Sequence, residues 1–175
     1  YPLEQYYRDN RLNPIHEGTE GIHGLDLMGR KLSQRGGKGY RLFLAAARAS
    51  IAEAGTSKQC AGMAAALNDA VGILDQVSSD LLQQVAADVD LGLANATAYL
   101  DLFGRVVVGW IWLRQALVAE RALEAGAEGS EADFYQGKLH AARYFMDWEL
   151  ASLACQARLL STGNRLTYDM QDAWF

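Results

Sequence analysis

The sequence predicts an all-α chain: an up-and-down helical bundle preceded by a short helix and a loop segment. Three observations carry that expectation. Apolar residues step by three, four and seven over long stretches, no useful length alternates apolar and polar at the period of a strand, and the breaks fall at glycine, proline and paired acidic residues. At 175 residues the chain can bury one sizeable core, and its composition does not demand a second.

Taken in order, Pro2 suits the first turn of a helix in which Leu3, Tyr6 and Tyr7 recur at helical spacing. Asn13-Pro14 is expected to end it, because the residue before a proline is pushed out of the α region. Thr19 then serves as a candidate N-cap for a segment whose Ile22, Leu25, Met28 and Leu32 form an apolar stripe. Gly36, Gly37 and Gly39 make residues 33–39 a loop or bend. A short helix follows from Tyr40 to about Glu53, with Gly55 as its stop and Thr56-Ser57 positioned to cap the next element.

The clearest periodicity runs from Lys58 to about Ala87, where Cys60, Met63, Leu67, Val71, Leu74, Leu81 and Val85 define one amphipathic helix. After a join at Asp88-Val89-Asp90, residues Leu91 to Ala125 read as a long helix that is nearly apolar all round, which requires neighbours on every side. Gly126 to Ser130 is a loop, Ser130 with Asp133 resembles a capping arrangement, and Glu131 to Ser161 reads as a single helix closed by Gly163-Asn164. Four principal helices from Tyr40 onward with short connections favour antiparallel neighbours. Alanines at 45–47, 64–66 and 94–98 let the axes approach closely.

A formal net charge of -5, a pI near 5.2 and basic residues scattered along the chain argue against nucleic-acid binding. Cys60 and Cys155 are too few and too far apart for a disulfide framework or a thiolate metal site; both read as small buried residues, and a reducing cytoplasm is the simplest setting. The most apolar run, Val106 to Val118, is interrupted by Arg114, is too short for a membrane span, and is expected to be a buried helix. No basic-then-apolar leader opens the chain. The start at Tyr1-Pro2 without Met leads us to expect an upstream part of the polypeptide.

Chemistry enters through Glu17, a lone carboxylate on the turn between the first two helices. Taken by itself, a glutamate there is explained by the favourable field of the helix N-terminus. The surrounding residues add more. Arg8-Asp9-Asn10-Arg11 at the end of one helix, the His16-Glu17-Gly18-Thr19 loop, and the helix Gly21-Ile22-His23-Gly24-Leu25-Asp26-Leu27-Met28-Gly29-Arg30-Lys31-Leu32 together resemble the catalytic-glutamate region of the flavin-dependent acyl-CoA dehydrogenases, in particular their longer bacterial members.

The resemblance covers residues 1–32 and implies that 1–36 is the end of the family's core helical domain and 37–175 its extra C-terminal helical bundle. It implies Glu17 as the base that removes the α-proton of an acyl-CoA thioester, Gly18 as the point of close substrate approach, and Thr19 as a flavin contact. It further implies FAD in the full-length protein but not in this fragment alone, electron-transfer flavoprotein as a partner, and a homo-oligomer. Three positions depart from the family pattern: His16 stands where an aromatic is usual, Asn10 replaces a small apolar residue, and Gly21 stands where shorter members carry a flavin-contacting glutamine.

Other motifs are weaker. Glu20-Gly21-Ile22-His23 fits half of a di-iron pattern but has no second copy, and His16-Glu17 lacks the second histidine of a zincin, so no metal is expected. Arg8, Asp9 and Arg11 are read as ion pairs holding the first helix against its neighbours; Trp110, Trp112, Tyr144, Phe145 and Trp148 are read as packing residues, and His16 as packing or shaping the substrate pocket, with a second acid or base as the alternative. Trp174 and Phe175 form an apolar tip. A competing reading of the bundle is a non-catalytic interaction or oligomerisation module.

Overall fold

The computed structural model describes residues 3–15 and 19–174, with the backbone alone at 13–15. Among the described residues there is no strand. Helix α1 spans Leu3–Ile15 and α2 spans Glu20–Asp26, continuing through a π-helical turn at Leu27–Lys31. The bundle consists of α3 (Gln34–Ala54), α4 (Ala61–Ala87), the short α5 (Val89–Leu93), α6 (Ala96–Glu124), α7 (Gly129–Tyr144) and α8 (Leu153–Ser161). α4 packs on α3, α6 and α8, while α6 also receives α2 and α7.

The core follows the seven-residue step of α4. Leu67, Leu74 and Leu81 are fully enclosed, facing Tyr99, Leu102, Val106 and Leu113 of α6. Each such side chain contributes about 1.5–3 kcal/mol by leaving water, which accounts for most of what holds the helices together. The polar groups taken inside are paired: the Ser78 hydroxyl meets the Tyr99 hydroxyl at 2.7 Å and donates to the Leu74 carbonyl at 2.7 Å. Burial pushes the Tyr99 phenol up to about 12, against the opposing effect of the Ser78 hydrogen bond.

One polar cluster ties the start of α4 to α6. Glu120 is buried on α6, where the Ser57 hydroxyl and the Gln59 backbone N–H, at 2.9 Å, both donate to its carboxylate. Ser57 Oγ in turn accepts the Cys60 N–H at 2.8 Å in the turn that precedes α4, whereas the N-cap of α4 is Cys60, with no side-chain capping bond. Burial works to raise the Glu120 carboxyl, but the hydrogen bonds from Ser57 and the Gln59 amide outweigh it and hold the group below its ordinary value.

Several local expectations are corrected. α1 continues to Ile15 rather than stopping at Asn13-Pro14. Thr19 precedes α2 but its side chain makes no capping hydrogen bond, and α7 begins at Gly129 with no side-chain cap from Ser130. The long helix expected from Leu91 is broken at Ala94-Asn95, because α5 is a separate turn capped by the Asp88 carboxylate. Gly92 permits that break: a Cβ there would lie 2.5 Å from the Val85 backbone nitrogen. The helix expected from Glu131 to Ser161 changes register through a π turn at Phe145–Glu149 and a 3-10 turn at Leu150–Ser152, so α7 lies on α6 while α8 lies mainly on α4.

Exposure brings further corrections. Ile22 and Leu25 face outward while Met28 and Leu32 are buried, so the predicted stripe is split between two faces. Tyr144 and Trp148 stack on each other at the surface, and Cys155 is exposed, unlike the buried Cys60. α6 leaves Val108, Ile111 and Val118 exposed despite its many neighbours. At 29 residues the whole of α6 is long and apolar enough, by length and composition, to cross a membrane, and it also contributes heavily to the bundle core. On α1, Arg8 pairs with Glu4 of the same helix and Asp9 accepts from Gln5, in place of contacts to neighbouring elements.

Candidate functional site

The predicted base Glu17, its neighbour Gly18 and His16 lie outside the described residues. What can be followed is how the chain holds the two ends of that loop. Upstream, α1 buries none of its residues between Leu3 and Leu12, and Leu3, Tyr6, Tyr7 and Leu12 present apolar surface to solvent. Downstream, α2 is fixed tightly: Gly24 is buried against the first turn of α6, where an added Cβ would stand 2.7 Å from the Ala96 carbonyl oxygen. Met28 and Leu32, at and beyond the π turn, then sink into the core. The seating of α2 therefore leaves no room for a side chain at position 24.

Thr19 is half-buried at the head of α2, and its carbonyl accepts the His23 N–H at 2.8 Å. Its side chain makes no capping hydrogen bond to the helix it precedes. Glu20, Ile22, His23 and Leu25 are exposed, giving α2 an outward face with apolar and polar groups side by side. Among the described residues no cluster of three or more His, Cys, Asp or Glu side chains could hold a metal ion.

A groove lies beside this segment. It measures about 510 Å³ and runs between the π turn, the start of α3 and Phe103 of α6. Three consecutive residues at the start of α3, Arg35 (φ 53°), Gly36 (φ 64°) and Gly37 (φ 77°), are left-handed, which is the bend expected from the glycines at 36, 37 and 39. The expectation of scattered basic residues is corrected here: Lys31, Arg35 and Lys38 all line this one groove. Sequence reasoning missed the cluster because the left-handed turn, and not spacing alone, places the three around one opening.

Residues 43–171 match the protein family described as Acetyl-CoA dehydrogenase C-terminal like. The chain belongs to that family. It is 32% identical over 186 residues to the broad-specificity linear acyl-CoA dehydrogenase FadE5 of Mycobacterium tuberculosis, covering 100% of this chain and 30% of that protein. It is also 32% identical over 168 residues to 3-methylmercaptopropionyl-CoA dehydrogenase of Ruegeria pomeroyi, covering 94% of this chain and 28% of the relative. A butyryl-CoA dehydrogenase of Syntrophomonas wolfei is 27% identical over 150 residues, covering 83% and 24%. The chain thus spans less than a third of the length of the acyl-CoA dehydrogenases it matches. The family match begins in α3, whereas the similarity to FadE5 extends over the segment that carries Glu17.

Proposed function

We propose that this chain is the C-terminal part of a flavin-dependent acyl-CoA dehydrogenase and supplies the catalytic base, Glu17. One observation carries the reading: the similarity to an acyl-CoA dehydrogenase runs through the whole chain, including the Arg8-to-Thr19 segment that precedes the family's C-terminal bundle. The outward apolar faces of α1 and α2 support it, since Leu3, Tyr6, Tyr7, Ile22 and Leu25 together offer a surface for the rest of the polypeptide to cover.

In this reading the Glu17 carboxylate takes the α-proton of the thioester. A carboxylate is weakly basic in water, but substrate closing over it removes water and raises its proton affinity toward that of a competent C–H base. The backbone N–H of Glu17 donates to the thioester oxygen and stabilises the developing enolate, and Gly18 lets the backbone come close. The acceptor for the β-hydrogen, which leaves as hydride, would be supplied by bound FAD. Thr19 fits a contact to it, because its hydroxyl is not used in capping α2. The Gly24 contact seats α2, the helix that follows this segment, closely on α6.

Electron-transfer flavoprotein as the onward acceptor, homo-oligomeric assembly and a cytoplasmic setting belong to the same proposal, and the isolated chain is inactive. The test is to incubate the full-length protein with a panel of acyl-CoA thioesters and an artificial electron acceptor. Formation of the 2-enoyl-CoA product supports the reading; a flavin-replete protein that turns over none of them overturns it. A second reading, that the bundle is a non-catalytic assembly module, draws on the exposed Val108, Ile111, Val118 and Phe134 along α6 and α7. Sedimentation of the full-length protein before and after Val118→Glu tests whether this face carries assembly, and acyl-CoA turnover measured in parallel separates the readings: a protein that assembles through it and turns over no thioester is the assembly module alone.

A further inference from the structure

We infer that the groove at the start of α3 binds a small amphipathic organic phosphate, with its apolar body on the groove floor and its phosphate held by Lys31, Arg35 and Lys38. The charge pattern is the first reason. In a chain of net charge -5, the stretch from Leu27 to Ala52 contains no Asp or Glu and carries Arg30, Lys31, Arg35, Lys38, Arg41 and Arg48. Three of these have partners: Arg30 pairs with Asp26, Arg41 donates to the Gly36 carbonyl, and Arg48 pairs with Asp75. Lys31, Arg35 and Lys38 make no ion pair or side-chain hydrogen bond among the described residues, and all three border the same groove.

The floor is the second reason. It is formed by Leu27, Tyr40, Phe43 and Phe103, with the Phe43 and Phe103 rings 5.3 Å apart and Tyr40 and Phe103 6.1 Å apart. No acidic side chain lines it, and its volume of about 510 Å³ is that of a small-molecule site. Apolar floor and cationic rim together select a ligand with both characters. Three cations match a phosphate, which carries close to two negative charges and three acceptor oxygens, better than a single carboxylate.

The backbone is the third reason. Arg35 adopts a left-handed conformation that a non-glycine residue pays to occupy, and the Arg41 side chain fastens the same turn by bonding Gly36. A second groove, between α6 and α7, also has two cations on an apolar lining, but there they are already engaged: Arg114 lies over Trp110 at 5.3 Å, and Lys138 lies over Trp112 and Phe134 at 5.6 and 5.3 Å.

The test is calorimetric titration of the protein at its natural full length with decyl phosphate, kept below its micelle-forming concentration. It needs no turnover, so it stands or falls independently of the dehydrogenase reading. One saturable site per chain is expected, with inorganic phosphate and neutral decyl glucoside each binding at least about tenfold more weakly. The combined variant Lys31→Gln, Arg35→Asn, Lys38→Gln should weaken decyl phosphate by at least about tenfold; asparagine retains access to the left-handed conformation. The pair Arg114→Gln, Lys138→Gln should leave binding unchanged. Absent binding, equal affinity for decyl glucoside, or an unaltered triple variant overturns the inference. So does co-sedimentation with phosphatidic acid vesicles unaccompanied by uptake of free decyl phosphate, which would make the cations a membrane contact.

Discussion

Replacing Gly24 by alanine inserts a methyl group where α2 meets the first turn of α6. The new carbon would stand 2.7 Å from the Ala96 carbonyl oxygen, 2.8 Å from its carbon and 3.0 Å from the Thr97 nitrogen, whereas ordinary contact begins at 3.4 Å. All three are backbone atoms, so no rotamer change relieves the clash and α2 has to lift by several tenths of an ångström. Overpacking of this kind costs about 1–3 kcal/mol. The better helix propensity of alanine returns about 1 kcal/mol, and with rigid partners the cost sits at its upper end, giving a net loss of about 1–2 kcal/mol. For a chain of this size that lowers Tm by about 2–8 °C.

Gly21→Ala is the internal control, because nothing lies within 4 Å of its added carbon; it should stabilise by about 0.5–1 kcal/mol. Thermal melts followed by circular dichroism, with amide hydrogen exchange across residues 20–32 to detect local lifting, read both variants. A Gly24→Ala protein with unchanged melting and unchanged exchange would refute the close seating of α2 on α6.

Other outcomes follow from the same contacts. Glu120→Gln keeps the shape but weakens the acceptor for Ser57 and the Gln59 amide, and should cost about 1–3 kcal/mol in urea denaturation at neutral pH. The Glu120 carboxyl is held below its ordinary value of 4.5 in the folded chain, so its contribution is complete above that value and is lost as the pH falls through the lower folded value. Stability profiles of the parent and Glu120→Gln should therefore converge on acidification, and parallel profiles would contradict the assignment. The isolated chain should take up no FAD at stoichiometric level; tight uptake in an absorbance titration would show that the flavin site lies within it.

The helical class and most of the core were legible because they depend on local periodicity. Leu67, Leu74 and Leu81 repeat every seven residues, and the structure buries all three. Breaks set by tertiary contact were not. Nothing local marks the π turn at Phe145–Glu149, and the break at Ala94-Asn95 goes with the close seating of α5 on α4, where Gly92 lies against the Val85 backbone. Trp148 and Ile22 have core-like character but face outward, since spacing identifies a face without saying what covers it. The Ser57–Glu120 clasp joins residues far apart in sequence and leaves no motif. The proposal for Glu17 rests on the resemblance of its flanking segment to a known catalytic loop; the physics of a lone carboxylate before a helix points equally to the helix field.

Glu17→Gln in the full-length protein gives the most direct test that this chain carries the base. The substitution preserves size and hydrogen-bonding capacity but removes the carboxylate that receives the α-proton. The variant should retain its flavin and bind acyl-CoA, yet lose the fall in flavin absorbance that substrate produces under anaerobic conditions. A variant that bleaches at the parent rate would remove Glu17 from the reaction.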